Sequence, residues 1–275
     1  MSERKNLPIG VFDSGIGGLT VTREIMRQMP NEKIIYFGDT ARVPYGSKSR
    51  ETVLKYSEQI VRFLLQQEVK AIVIACNTAS AYALPELEKQ CPVPIIGVID
   101  PGSRAAVRET RGSGIGVIGT EATVSSGTYA DAIHQLAPKA KVLSRACPLF
   151  VPLVEEGLWE DPVTEEIARR YLLELMDEGI DTLILGCTHY PLIRDTIGKV
   201  VGPEVHLVNP AYETAMELKK LLENSGLLAA VHPTLGEENQ YSFYVSDMAA
   251  KFKSFANSII KYGILSAKTV DIEKY

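Results

Sequence analysis

The chain has 275 residues, 45% of them hydrophobic and 23% charged, the balance of a globular protein with a sizeable core and length for about two domains. Lys and Arg number 29 against 34 Asp and Glu, for a net charge of −5. They form no basic block, which excludes a general nucleic-acid surface. No apolar run approaches the roughly 20 residues that span a bilayer, so no membrane segment is expected. Polar Met1–Asn6 leads into no signal-peptide core, and the expected location is cytoplasmic.

The first apolar run, Ile9–Phe12, reads as a strand and ends in Asp13-Ser14-Gly15-Ile-Gly17-Gly18. Those glycines permit a tight strand-to-helix turn and close backbone approach to a ligand, although a plain turn with an Asp cap has the same composition. A second strand, Ile34–Phe37, leads to Arg42-Val-Pro44-Tyr45-Gly46-Ser47, a donor-rich loop, and then to a helical pattern over Ser49–Gln67. Further strands are expected at Ala71–Ala75, Ile95–Ile99, Ile115–Ile118, Lys141–Ser144, Thr182–Leu185, Val205–Val208 and Tyr241–Val245. Helical patterns cover Thr123–Leu136, Val163–Glu178 and Ala211–Leu222. Such alternation, with continuously apolar strands, predicts an α/β fold with mostly parallel sheets and ligands beyond the strands' carboxyl ends.

The chain also repeats itself. Val69-Lys-Ala-Ile-Val-Ile-Ala-Cys76-Asn-Thr resembles Ile180-Asp-Thr-Leu-Ile-Leu-Gly-Cys187-Thr-His, an offset of 187 − 76 = 111. Ile9-Gly-Val-Phe matches Ile115-Gly-Val-Ile at 106, and Ile99-Asp-Pro101 matches Val208-Asn-Pro210 at 109. Matches in one order at nearly one offset predict two pseudo-symmetric α/β lobes whose equivalent strand ends face one cleft. Pro101 and Pro210 are the expected crossings. The first lobe is then discontinuous, residues 1–99 plus 211–275, and the second is 100–210.

Chemistry concentrates at Cys76-Asn77-Thr78 and Cys187-Thr188-His189, each a thiol followed by polar side chains directly after an apolar strand. Helix N-termini there offer N–H groups for a carboxylate and are expected to lower the thiol pKa. A single cysteine at a strand end is an ordinary packing residue; a pair in repeated contexts is not. Two like groups, one ionised and one protonated, suit inversion of a stereocentre, with a base on one face and an acid on the other. The other cysteines, Cys91 and Cys147, complete a scattered set of four without CxxC spacing, read as reduced thiols. Thr120 and Thr123 serve equally as caps or donors. His189 reads equally as a core-edge histidine or as part of a C-x-H metal fragment, which would need clustered partners that the sequence lacks, and nothing in the sequence separates Glu155 from Glu156.

These elements, with Val43-Pro44-Tyr45-Gly46, Cys147-Pro148-Leu149, Glu155-Glu156-Gly157 and Gly186-Cys187-Thr188-His189-Tyr190-Pro191, resemble the glutamate racemases of the aspartate/glutamate racemase superfamily. The similarity runs from about Leu7 past Pro210, while 264–275 carries no matching motif. The resemblance implies three-layer αβα lobes around a cleft, and no pyridoxal phosphate, metal or nucleotide. It implies Cys76 and Cys187 as the acid–base pair, assisted by Asp13, His189 and Glu155. Ser14, Tyr45, Gly46, Asn77, Thr78, Thr120 and Thr188, with Asp13 and His189, are then expected to hold L- or D-glutamate. A homodimer and a role in supplying D-glutamate for peptidoglycan follow from the same resemblance. Competing readings are racemisation of another acid such as aspartate, a Cys187–His189 nucleophilic dyad, and a two-lobed binding module.

Overall fold

The computed structural model describes residues 3–229, 240–260 and 267–275. Two sheets organise it, and every strand pairing in both is parallel. The first contains β1 (Ile9–Asp13), β2 (Ile34–Gly38), β3 (Ala71–Ile74), β4 (Ile95–Gly97), β9 (Tyr241–Val245) and β10 (Ala267–Thr269), in the order β10-β9-β2-β1-β3-β4. The second contains β5 (Ile115–Gly119), β6 (Val142–Ala146), β7 (Thr182–Gly186) and β8 (His206–Val208), in the order β6-β5-β7-β8.

Strand order 2-1-3-4 in the first sheet is repeated as 6-5-7-8 in the second, which is the duplication expressed as topology. The offset is 106 at the first strand (115 − 9) and 111 at the third (182 − 71) and fourth (206 − 95). One expected match needs correction. The helices that follow the fourth strands, α4 (Ile99–Glu109) and α10 (Pro210–Asn224), are capped at Val98 and Asn209, an offset of 111. Pro210 therefore opens its helix, whereas Pro101 sits two residues inside α4, and the similarity at offset 109 is two residues out of structural register. The two segments still meet: a Cβ on Gly102 would lie 3.1 Å from the Pro210 ring.

Both faces of each sheet are covered, as fully apolar parallel strands require. On β1 and β3, Ile9, Val11, Ala71 and Val73 face a core shared with α1 (Leu19–Gln28), α10 and α11 (Ala249–Ile259). Phe12, Ile72 and Ile74 face the opposite core, with α2 (Arg50–Gln66) and α3 (Asn77–Gln90). In the second sheet, Ile115, Val117 and Ile184 pack against α4 and α6 (Thr128–Leu136). Ile118, Leu183 and Leu185 pack against α7 (Phe150–Glu155), α8 (Pro162–Asp177) and α9 (Arg194–Val201). Each sheet is thus the middle of three layers.

The helix expected over Thr123–Leu136 is two helices. The first, α5 (Glu121–Ser125), stops at Gly127, whose φ of 69° only glycine adopts cheaply, and α6 restarts at Thr128. Ser49 caps α2 by accepting from the Thr52 N–H, and Asp161 caps α8 with Pro162 at its first position, a residue earlier than expected. The strand expected to reach Ile99 ends at Gly97. Residues 264–266 lie outside the described residues, but the segment after them adds β10 to the sheet edge. It then buries Ile272 and sets Tyr275 edge-on against Phe63 at 5.3 Å. Among the described residues no helix is long and apolar enough to cross a membrane.

Candidate active site

The strand ends of the two sheets meet across a small, partly enclosed pocket of ≈ 50 Å³, room for only a few waters. Ser14, Tyr45, Gly46, Cys76, Asn77, Thr78, Thr120, Glu155, Cys187, Thr188 and His189 line it, so all but one of the residues that the resemblance implies act on or hold the substrate come together here. Larger hollows, such as the ≈ 770 Å³ groove beside Arg111, Asp181 and Arg194, are open surface between charged side chains and contain no thiol.

The exception is Asp13. It is fully buried and lies outside the pocket lining. Its Oδ2 accepts from the Gly15 N–H at 3.0 Å, and its Oδ1 accepts from Thr188 Oγ1 at 3.5 Å. Burial pushes the Asp13 carboxyl above its ordinary value, against the opposing pull of His189 and the N–H groups of Gly18, Gly15 and Ser14.

Cys76 caps α3, and its sulfur accepts from the Ala79 N–H at 3.4 Å. The helix N-terminus was expected to lower its pKa; the structure reverses that expectation. Burial, reinforced by the nearby Asp13 carboxylate, pushes the Cys76 thiol up to about 12 and outweighs the Ala79 and Ser14 hydrogen bonds. Cys187 opens no long helix. A single 3-10 turn, Tyr190–Ile193, follows it before α9 begins.

His189 Nδ1 lies 3.8 Å from Cys187 Sγ, and its Nε2 lies 3.2 Å from Glu155 Oε1. Burial alone would lower this imidazole. The hydrogen bonds to Cys187 and Glu155, with negative charge at Cys187 and Asp13, outweigh burial and raise it to about 10. The choice between the adjacent acids is settled by α7: Glu155, on its last turn, reaches the pocket, while Glu156 is exposed.

The lobes exchange hydrogen bonds in a pseudo-symmetric way. The start of α1, after β1, crosses to the end of β7, where Thr20 Oγ1 donates to the Thr188 carbonyl at 2.9 Å. The turn after β5 crosses to the end of β3, where Thr78, Thr120 and Thr123 hydroxyls stand 3.0–3.1 Å from one another. Thr120 is also a helix cap, accepting from the Thr123 N–H at 3.2 Å. The close backbone approach expected of the glycine turn is partly to protein: a Cβ on Gly17 would lie 2.4 Å from Thr188 Oγ1 and 2.6 Å from the His189 ring.

Tyr45 is held by its hydroxyl, which donates to buried Asp39. Asp39 also accepts from Arg42 Nε and Ser246 Oγ, each at 2.8 Å. Gly15, Val43, Pro44 and Val151 also line the pocket and were not singled out as site residues. Val43 and Val151 are apolar and carry no chemical signature. Among the described residues, no group of three or more His, Cys, Asp or Glu side chains is placed to hold a metal ion.

The family model for Asp/Glu/Hydantoin racemases matches residues 9–218. A glutamate racemase of Geobacter metallireducens is 48% identical over 268 residues, 97% of this chain and 98% of that protein. A crystallised glutamate racemase isoform of Bacillus anthracis superposes with a TM-score of 0.91 at 43% identity, over 97% of this chain and 98% of that one. One from Francisella tularensis, solved in complex with D-glutamate, gives 0.89 at 42%, over 98% and 100%. On sequence and fold alike, the chain belongs to the Asp/Glu/Hydantoin racemase family and is an amino-acid racemase.

Proposed function

We propose that the chain interconverts L- and D-glutamate without a cofactor, passing the Cα proton between Cys76 and Cys187. The observation that carries this reading is the placement of two buried thiols on equivalent strand ends of duplicated sheets, around one small donor-lined pocket. Glutamate is favoured by the names of the Geobacter and Bacillus relatives, both glutamate racemases, and by the D-glutamate held in the Francisella structure.

In the resting enzyme Cys76 is the thiol, because burial and Asp13 disfavour its charge. An imidazolium at His189, held by Glu155, complements a thiolate at Cys187. The thiolate takes the Cα proton from one face while Cys76 delivers its proton to the other. The reverse reaction starts from the opposite distribution, with Cys76 as base and Asp13 near it. The carbanion formed between them needs preorganised donors in a site without bulk water. Asn77, Thr78, Thr120, Thr188, Ser14 and the Tyr45–Gly46 loop supply those donors and hold the carboxylates and amine. The lobes are divided as 1–99 plus 211–275 and 100–210. The enzyme works as a cytoplasmic homodimer and supplies D-glutamate for peptidoglycan.

Incubation of the purified protein with L-glutamate in D₂O tests the reaction. Loss of optical rotation together with deuterium at Cα is expected. Binding of glutamate with neither change overturns the reading.

The Cys187–His189–Glu155 alignment also fits a nucleophilic thiol with an oriented base. That second reading predicts a covalent adduct on Cys187 and leaves Cys76 without a task.

A further inference from the structure

Asn77 and Tyr129 form a buried pair that joins the two lobes. Asn77 is the first residue of α3 and lines the pocket, whereas Tyr129, on α6 of the other lobe, is 2% exposed and lies behind it. The Tyr129 hydroxyl donates to Asn77 Oδ1 at 2.7 Å. Its ring is fixed by contact with two glycine backbones: a Cβ on Gly186, at the end of β7, would lie 3.1 Å from it, and one on Gly102 would lie 3.5 Å away. Burial, with negative charge at Cys187 and Asp100, keeps the phenol protonated and therefore a donor.

A carboxamide has one acceptor oxygen and one donor nitrogen, on opposite sides of its axis. Fixing the oxygen against Tyr129 fixes where the NH₂ points. Asn77 Nδ2 meets no acceptor among the described residues and is not a sealed, unsatisfied atom. The group that Asn77 offers to the pocket is therefore its NH₂. Both residues were available in the sequence, but 52 positions separate them and nothing there pairs them.

We propose that Tyr129 is a positioning residue that holds the Asn77 amide with its NH₂ toward the pocket, so that this corner accepts a substrate carboxylate oxygen and rejects the amine. The inference rests on the reading that the pocket holds an amino acid. Because the pair spans the lobes, the donor is set only while α6 and α3 are apposed.

Tyr129→Phe keeps the ring and removes only the hydroxyl. Losing a buried hydrogen bond of about 1 kcal/mol predicts a KM for glutamate raised about five-fold. The change in kcat should stay within about two-fold, since the contact is made equally in ground and transition states. In an Asn77→Ala background the same change should add nothing to KM, because Tyr129 acts through Asn77. A merely structural tyrosine would lower Tm in both backgrounds and leave KM alone, and that outcome overturns the proposal.

A second measurement needs no turnover. The Asn77 side-chain NH₂ pair in a ¹H–¹⁵N spectrum, assigned by its loss in Asn77→Ala, should shift and broaden in Tyr129→Phe. An unchanged pair overturns the proposal even if the protein racemises glutamate. If the protein does not act on glutamate, the functional reading fails by itself, and the amide signals still decide the role of Tyr129.

Discussion

His189 stands between two acids of different kinds, with Cys187 3.8 Å from one ring nitrogen and Glu155 3.2 Å from the other. Neither contact reaches solvent freely, since Cys187 and His189 are both buried. The imidazole thus brings positive charge to one side of the pocket, and Asp13 lies buried behind the lining, against Thr188.

Stability should carry the signature of that charge. The His189 imidazole ordinarily titrates near 6.5 and is raised to about 10 in the fold. Between these values the folded chain holds a proton that the unfolded chain has released, so stability from this group is complete below about pH 6.5 and is lost as pH rises toward 10. One such proton gives a slope approaching −1.4 kcal/mol per pH unit, as an order-of-magnitude figure. Cys76, raised from 9.0 to about 12, adds the same sign above pH 9. Urea denaturation of wild type and His189→Gln across pH 6–10 should show their stability difference shrinking as pH rises. A constant difference would place the imidazole outside this linkage.

The two thiols should fail differently when removed. If the proposed two-thiol mechanism operates, Cys76→Ser or Cys187→Ser deletes the acid–base group of one face, a loss of about 10²–10⁴-fold in racemisation. Each variant retains the group on the other face. Cα exchange in D₂O should therefore persist with one enantiomer of glutamate and vanish with the other, the two variants showing opposite preferences. Equal loss of exchange with both enantiomers in both variants would argue against two separate faces.

Gly17 marks a place where one lobe's turn lies directly on Thr188 and His189 of the other lobe. A methyl group there would stand 2.4 Å from Thr188 Oγ1 and 2.6 Å from the His189 ring, distances that force movement. Both residues are buried and held by further hydrogen bonds. Gly17→Ala is expected to fold, because no left-handed φ is required at this position. It should lose on the order of 10²-fold in kcat through misplacement of His189. Far-ultraviolet circular dichroism and single-turnover rates separate that outcome from unfolding.

What the sequence disclosed was decided by period and apolar content. Runs such as Ala71–Ala75 and Thr182–Leu185 are buried on both faces, so their continuous hydrophobicity marked them as central parallel strands. Ala267–Thr269 escaped because an edge strand of three residues, with Lys268 and Thr269 exposed, has neither length nor an apolar run. The candidate site was legible as residue types at strand ends, since parallel topology brings such ends together. Its electrostatics were not. Whether a thiol beside a helix N-terminus is lowered or raised depends on how dry it is and on where Asp13 falls, and both are long-range properties. The Tyr129–Asn77 and Thr20–Thr188 bonds, 52 and 168 residues apart, have no local trace.

The loop carrying Tyr45 offers a contrast between buried and exposed charge on one guanidinium. Arg42 pairs with Asp39 at 2.8 Å and with Glu273 at 3.0 Å; the Asp39 side chain is 0% exposed and that of Glu273 is 62% exposed. Removing Glu273 leaves Arg42 its buried partner and a hydrogen bond to Gln59 at 2.6 Å, so Glu273→Ala should cost no more than about 1 kcal/mol. Removing Asp39 takes the buried partner from a guanidinium that is only 10% exposed, leaving it Gln59 and the exposed Glu273, and it also deprives the Tyr45 and Ser246 hydroxyls of their acceptor. Breaking a buried pair from one side costs about 3–5 kcal/mol, and Asp39→Ala should fall in that range by urea denaturation. Because Tyr45 lines the pocket, the Asp39 variant should also raise KM for the substrate under conditions where it remains folded, while Glu273→Ala should not. Equal destabilisation by the two substitutions would mean that the tail, rather than Asp39, anchors this side of the pocket.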